Sequence, residues 1–148
     1  MNKAPVIIGV SLIAAAFAVA WHAASGISLF ARIDRGDSKT NSHTDEEINM
    51  AISMARKEFR KNFNGCIMTE LSYSEEWTQA EMEYETSYYA CYLAPEKCVD
   101  DAIVLESTFV TKSPFASFMW NNCTQRGWKW IIKHTPAGGW EYSGCGYA

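Results

Sequence analysis

From Ala4 to Ala31 the chain carries no Asp, Glu, Lys or Arg, and an uncharged apolar run of 28 residues has few places to sit. As a helix rising 1.5 Å per residue it would reach about 42 Å, more than the roughly 30 Å hydrocarbon core of a bilayer. Two readings fit. One is an uncleaved anchor; the other is a secretory signal peptide cut after Ala18-Val19-Ala20, although such peptides have apolar stretches of only about 7–15 residues. The anchor is favoured, because the run continues past that site through Ile27, Leu29 and Phe30 and closes with Arg32 and Arg35. The expected organisation is therefore an anchor or signal segment over residues 1–31, touching membrane through residues 4–31, a linker over 32–43 rich in Asp, Ser, Asn and Gly, and one domain over 44–148.

Charge does not orient the segment, since Lys3 and the amino terminus balance Arg32 and Arg35. The cysteines do. Five in so small a domain suit an oxidising compartment, which places the N-terminus inside and the domain outside. Cys91 and Cys98 flank the turn signal Ala94-Pro95 and are expected to bridge, closing a loop whose cross-link contributes roughly 2.5 kcal/mol in the chain-entropy model. Of Cys66, Cys123 and Cys145, one further pair is open to bridging and one thiol must remain.

Within the domain, Thr44-Asp45-Glu46-Glu47 fits a capping box, so a helix should start there. Ile48, Ile52, Ala55, Phe59 and Phe63 follow on one face, Arg60 and Lys61 suit the helix C-terminus, and Asn64-Gly65 supplies the stop. Cys66 to Tyr73 alternates as a half-buried strand. Residues 80–88 alternate too, but Glu, Ala and Met favour helix, so period and composition disagree. Further strands are expected at Ala102–Thr111 and Trp128–Lys133, the latter joined through Pro136-Ala137-Gly138-Gly139 to a short strand, Trp140–Tyr142, as a hairpin. This order predicts an α+β domain, one helix packed on a curved antiparallel sheet, as in the cystatin-like and nuclear transport factor two-like folds, with a transmembrane helix before it.

Phe63-Asn64-Gly65-Cys66, Thr69-Glu70-Leu71, Tyr73, Asp101-Ala102-Ile103-Val104-Leu105, Trp128-x-Trp130-Ile131-Ile132, Gly138-Gly139-Trp140 and Gly146-Tyr147 form a pattern. Over residues 47–148 it resembles a family of small bacterial extracytoplasmic domains, mostly from Gram-positive species, exported as lipoproteins or membrane-anchored proteins. The resemblance implies such a domain, with no catalytic or ligand residue to carry over. The chain departs from the pattern in lacking a lipobox cysteine and in having Cys91, Cys98, Cys123 and Cys145.

A formal charge of −4 argues against nucleic acid as partner, because phosphate binding needs clustered Lys and Arg. No motif implies a cofactor. A Cys–His nucleophile has His134 as its candidate base, but the ordinary reading is an exposed strand-end histidine. Cys91 and Cys98 stand too far apart in sequence for a tight zinc pair. Glu75, Glu76, Glu81, Glu83, Glu85, Glu96, Asp100 and Asp101 read first as a solvated acidic face rather than as a general acid and base or a calcium site. The aromatic residues point to binding instead: Tyr84, Tyr88, Trp128, Trp130 and Trp140 are the candidate surface, with core packing as the competing explanation. The expected function is a membrane-tethered binding or accessory module with a protein or small apolar ligand as partner, alone or as a subunit of a larger envelope complex. The alternative is a small cavity-type enzyme using a carboxylate or His134. A cavity with Glu or His projecting into it favours the enzyme; one filled by Trp and Phe favours the module.

Overall fold

The computed structural model describes residues 26–37, 39–87, 98–112 and 123–147. Within them the elements run β1 (Ile27–Asp34), α1 (Asp45–Asn62), β2 (Cys66–Tyr73), α2 (Glu75–Ser87), β3 (Asp101–Thr111), β4 (Thr124–Thr135) and β5 (Gly139–Gly146). The strands lie in chain order in one sheet, β1 parallel to β2 and the other three pairings antiparallel. The domain is thus α+β, a helix on a curved sheet, as expected.

Each ladder carries a register irregularity, and a bulge bends and twists the strand that holds it. In the β3–β4 ladder, Ser107 faces Trp128 while Phe109 faces Gln125, so β4 has one residue too many. Gly127 absorbs it with a φ of +71°, a conformation that side-chain-bearing residues rarely adopt. The curved sheet cups α1. Thr44 caps the helix reciprocally with Glu47, and Ile48, Ala51, Ile52, Ala55 and Phe59 are buried along its sheet face, with Phe63 behind them. Against them pack Cys66, Met68, Leu71, Ile103, Leu105, Phe109, Trp130 and Ile132. Phe59, Phe63, Phe109 and Trp130 meet ring to ring at 5.0–6.0 Å between centroids. Trp130 is fully buried, and its Nε1 donates to Ser107 Oγ at 2.8 Å.

One expectation needs correction, and two readings that the sequence left open are decided. The apolar run does not continue as one element to residue 31, because Ile27–Asp34 is a strand hydrogen-bonded beside β2. Gly26 opens it with a φ of +74°, and a Cβ there would lie 3.2 Å from the Cys66 carbonyl and 3.3 Å from the Phe59 ring. The domain therefore starts well before residue 44, and the linker shrinks to the segment between β1 and α1. Residues 80–87 belong to a helix, so composition prevails over period: Ser74 Oγ accepts from the Trp77 amide, and Thr78 Oγ1 fixes the helix by accepting from the Val104 amide at 3.0 Å. Cys66 and Cys145 are thiols, so no pair forms among Cys66, Cys123 and Cys145. Cys91 lies outside the described residues, and with it the Cys91–Cys98 bridge. Among the described residues no helix is long and apolar enough to cross a membrane.

Candidate functional site

The two faces of the sheet end differently. Alternation along β4 sends Trp128, Trp130 and Ile132 toward α1, so Lys129, Ile131 and Lys133 project from the opposite face. There α2 lies across β3 and β4, presenting Trp77, Glu81 and Glu85, which are four residues apart and share one helix face. Lys133 Nζ reaches Glu81 at 2.8 Å and Glu85 at 2.6 Å, all three side chains being largely buried. Burial alone would lower the Lys133 pKa, but the hydrogen bonds to the two carboxylates outweigh it and the ammonium is held above its ordinary value.

One turn earlier on the helix the pairing is of another kind. Lys129 is 7% exposed, and its Nζ sits 2.7 Å from the centroid of the Trp77 ring. Glu106 stands opposite it in the β3–β4 ladder, yet among the described residues no carboxylate comes within ion-pair distance of this ammonium. Its pKa is lowered, by burial first, with the charges of Glu106 and Glu76 opposing. Two hollows meet at the same residue. One, of about 190 Å³, is lined by Trp77, Ala80, Glu81, Val104, Lys129 and Ile131. The other, of about 270 Å³, runs from Lys129 and Ile131 over Ser143–Gly146 to Tyr147. A Cβ added at Gly144 or Gly146 would touch nothing within 4 Å, so β5 contributes bare backbone to this trough.

The other end of the sheet carries a second polar cluster. His43, in the segment leading to α1, is buried between strands. Its Nε2 lies 2.9 Å from Asp101 Oδ1, and since a carboxylate only accepts, Nε2 carries the proton of that bond. Its Nδ1 is 3.0 Å from Ser42 Oγ and 3.1 Å from Tyr73 Oη. Glu75 Oε2 accepts from the Tyr73 hydroxyl, the Ser42 amide at 2.9 Å and the Ser42 hydroxyl at 3.1 Å, while Oε1 accepts from Gln79. Burial would raise the Glu75 carboxyl, but these hydrogen bonds prevail and bring it down to about 2; burial and the ionised Glu75 push Tyr73 up to about 12. Ser42, His43 and Asp101 have the composition of a hydrolytic triad. Ser42 is exposed, but its hydroxyl is hydrogen-bonded to Glu75 and Tyr73 as well as to His43, which makes it a bridge that fastens this segment to β2 and α2.

This clamp gives a pH prediction. The folded carboxyl of Glu75 titrates near 2 and an unfolded one near 4.3, so its contribution to stability is complete above about pH 4.3 and is lost as pH falls from there through 2. Glu75→Gln should lower stability by about 1 kcal/mol at pH 7, a modest figure because the carboxylate is partly screened by solvent. In urea unfolding at a series of pH values, the gap between variant and wild type should close below about pH 3. A gap independent of pH would assign the loss to packing.

The aromatic residues singled out by sequence do not assemble into one surface. Trp130 is core; Trp128 and Trp140 are partly buried against that core, Trp140 setting its edge against His43 and His134. Tyr84 is 56% exposed on α2, across the sheet, and Tyr88 lies outside the described residues. His134 pairs with Asp100 at the end of β4. Among the described residues no group of three His, Cys, Asp or Glu is placed to hold a metal ion. No family model, curated protein or solved structure gives a significant match to this chain. Sequence reasoning passed over His43, which stands in an apparent linker, and Lys129, although the order Trp128-Lys129-Trp130-Ile131 in a strand already puts that lysine on the face away from the tryptophans.

Proposed function

We propose that this chain is a membrane-tethered extracytoplasmic binding module. The side of the sheet that would house an enzyme's cavity is filled by Phe59, Phe63, Phe109 and Trp130, whereas the opposite side offers open hollows lined by Lys129, whose ammonium has no carboxylate partner among the described residues. That contrast carries the reading, since catalysis in such folds needs polar groups facing an enclosed space. Residues 4–25, upstream of β1, number 22 and as a helix would extend about 33 Å, still sufficient for the roughly 30 Å core. The helix on a curved sheet is consistent with a cystatin-like or nuclear transport factor two-like domain, with β1 added in parallel, and with the resemblance to anchored extracytoplasmic domains. A place in a larger envelope complex, with a protein partner, accords with both.

The test is topological. In host membranes the full chain should resist alkaline carbonate extraction, and protease added to spheroplasts should digest the domain while sparing an N-terminal epitope. Release into the carbonate supernatant, or a domain protected from outside, would overturn the tethered reading.

A further inference from the structure

We infer that the trough around Lys129 binds a small molecule bearing a single carboxylate and an apolar body. The inference rests on the reading of the chain as a binding module and names what that module holds.

A charged group taken out of water costs stability unless something replaces its hydration. Lys133, one turn along on the same face, has two carboxylates for this purpose. Most of the Lys129 side chain is covered, and among the described residues its ammonium, still reached by solvent, meets only the face of Trp77, which attracts a cation but accepts none of its three N–H bonds. Lys129 lines both hollows, and the one it shares with Trp77 holds the ring against which its ammonium sits, so an occupant there meets an ammonium with donors to spare. An anion supplies the missing acceptor, and a carboxylate on ammonium is among the stronger hydrogen bonds available to a protein. The surroundings limit its charge. Glu106 and Glu76 act on Lys129 electrostatically, and a dianion would be repelled by both, whereas a monoanion matches the single ammonium.

The walls define the remainder of the ligand. Ile131 and the backbone of Gly144 and Gly146 line one hollow, beside Tyr147, without a side chain on either glycine, and Ile131 with Trp77, Ala80 and Val104 lines the other. Hollows of about 190 and 270 Å³ fall below the roughly 300–1,000 Å³ of ordinary ligand pockets, which restricts the occupant to a small acid.

The test uses the full chain in nanodiscs, titrated with phenylacetate and, in parallel, with its neutral amide. Binding is followed by NMR through the Trp77 indole N–H and the amides of Ile131, Gly144 and Gly146. Two variants act independently: Lys129→Met removes the charge, and Gly144→Trp fills the trough at a position where added atoms meet nothing. Phenylacetate should shift these four signals and bind at least tenfold more weakly to each variant, while the amide binds at least tenfold more weakly to wild type. Equal binding of acid and amide, both blocked by Gly144→Trp, would overturn the carboxylate assignment and leave the trough as the module's site. Absence of any shift at the four signals, or shifts unaffected by Gly144→Trp, would overturn the site itself.

Discussion

Trp130→Ala is expected to remove about 4 kcal/mol of stability, a large part of the roughly 5–15 kcal/mol that a domain of this kind possesses. The indole is fully buried where α1 meets the sheet, with Phe59 and Phe63 on the helix side and Tyr142 on the neighbouring strand. Two effects add. The ring's apolar area is lost and leaves a cavity that rigid strands cannot close, and Ser107 Oγ loses the donor it faces while still donating to the Trp128 carbonyl. Trp130→Phe separates them: it retains most of the volume and should cost about 1–2 kcal/mol, chiefly through the hydrogen bond no longer donated to Ser107 Oγ. Urea unfolding of both variants checks the pair. A loss below about 1 kcal/mol for the alanine variant would show that the helix-facing side is not packed around this residue.

His43→Ala should be the most damaging polar substitution, costing about 2–3 kcal/mol. The imidazole joins Asp101 on β3 to Tyr73 on β2 and meets Trp140 on β5 edge-on, so its removal unfastens three strands from the segment that leads into α1. Asp101→Asn serves as the control, because an amide oxygen can still accept from Nε2, and its cost should stay under about 1 kcal/mol. Hydrogen exchange gives a second readout. In the His43 variant the first-turn amides of α1 should exchange faster than those near Phe59, since the clamp holds the entry to the helix and not its far end. Uniform acceleration along α1 would instead assign His43 to the global core.

How far the sequence could be read follows from which forces are local. The capping box at Thr44 and Glu47, the apolar face from Ile48 to Phe59 and the Asn64-Gly65 stop depend on neighbours within a turn or two, and α1 appears where they put it. The strand Cys66–Tyr73 has the expected bounds, and the hairpin at Pro136–Gly139 forms, because alternation and turn chemistry are likewise short-range. β1 was hidden for the opposite reason. Its apolar residues extend an uncharged run that fits a bilayer as well as a sheet, and only pairing with β2, distant in sequence, distinguishes the two. α2 was ambiguous because its contacts with Lys129, Lys133 and the Val104 amide are tertiary. The trough and the His43 clamp each draw on several elements at once, and no window of sequence contains the register that brings them together.

The place where the chain enters the sheet also determines how the domain takes load. β1 is an edge strand lying parallel to β2, with Arg32, Ile33 and Asp34 opposite Glu70, Leu71 and Ser72. A pull on the chain upstream of Gly26 acts along that strand, so the β1–β2 hydrogen bonds share the force in shear and must yield together. At the opposite edge, a pull on the Gly146 end of β5 back toward the turn at Thr135–Gly139 opens its ladder one bond at a time. The domain therefore resists a pull on its first strand more than a pull that peels its last.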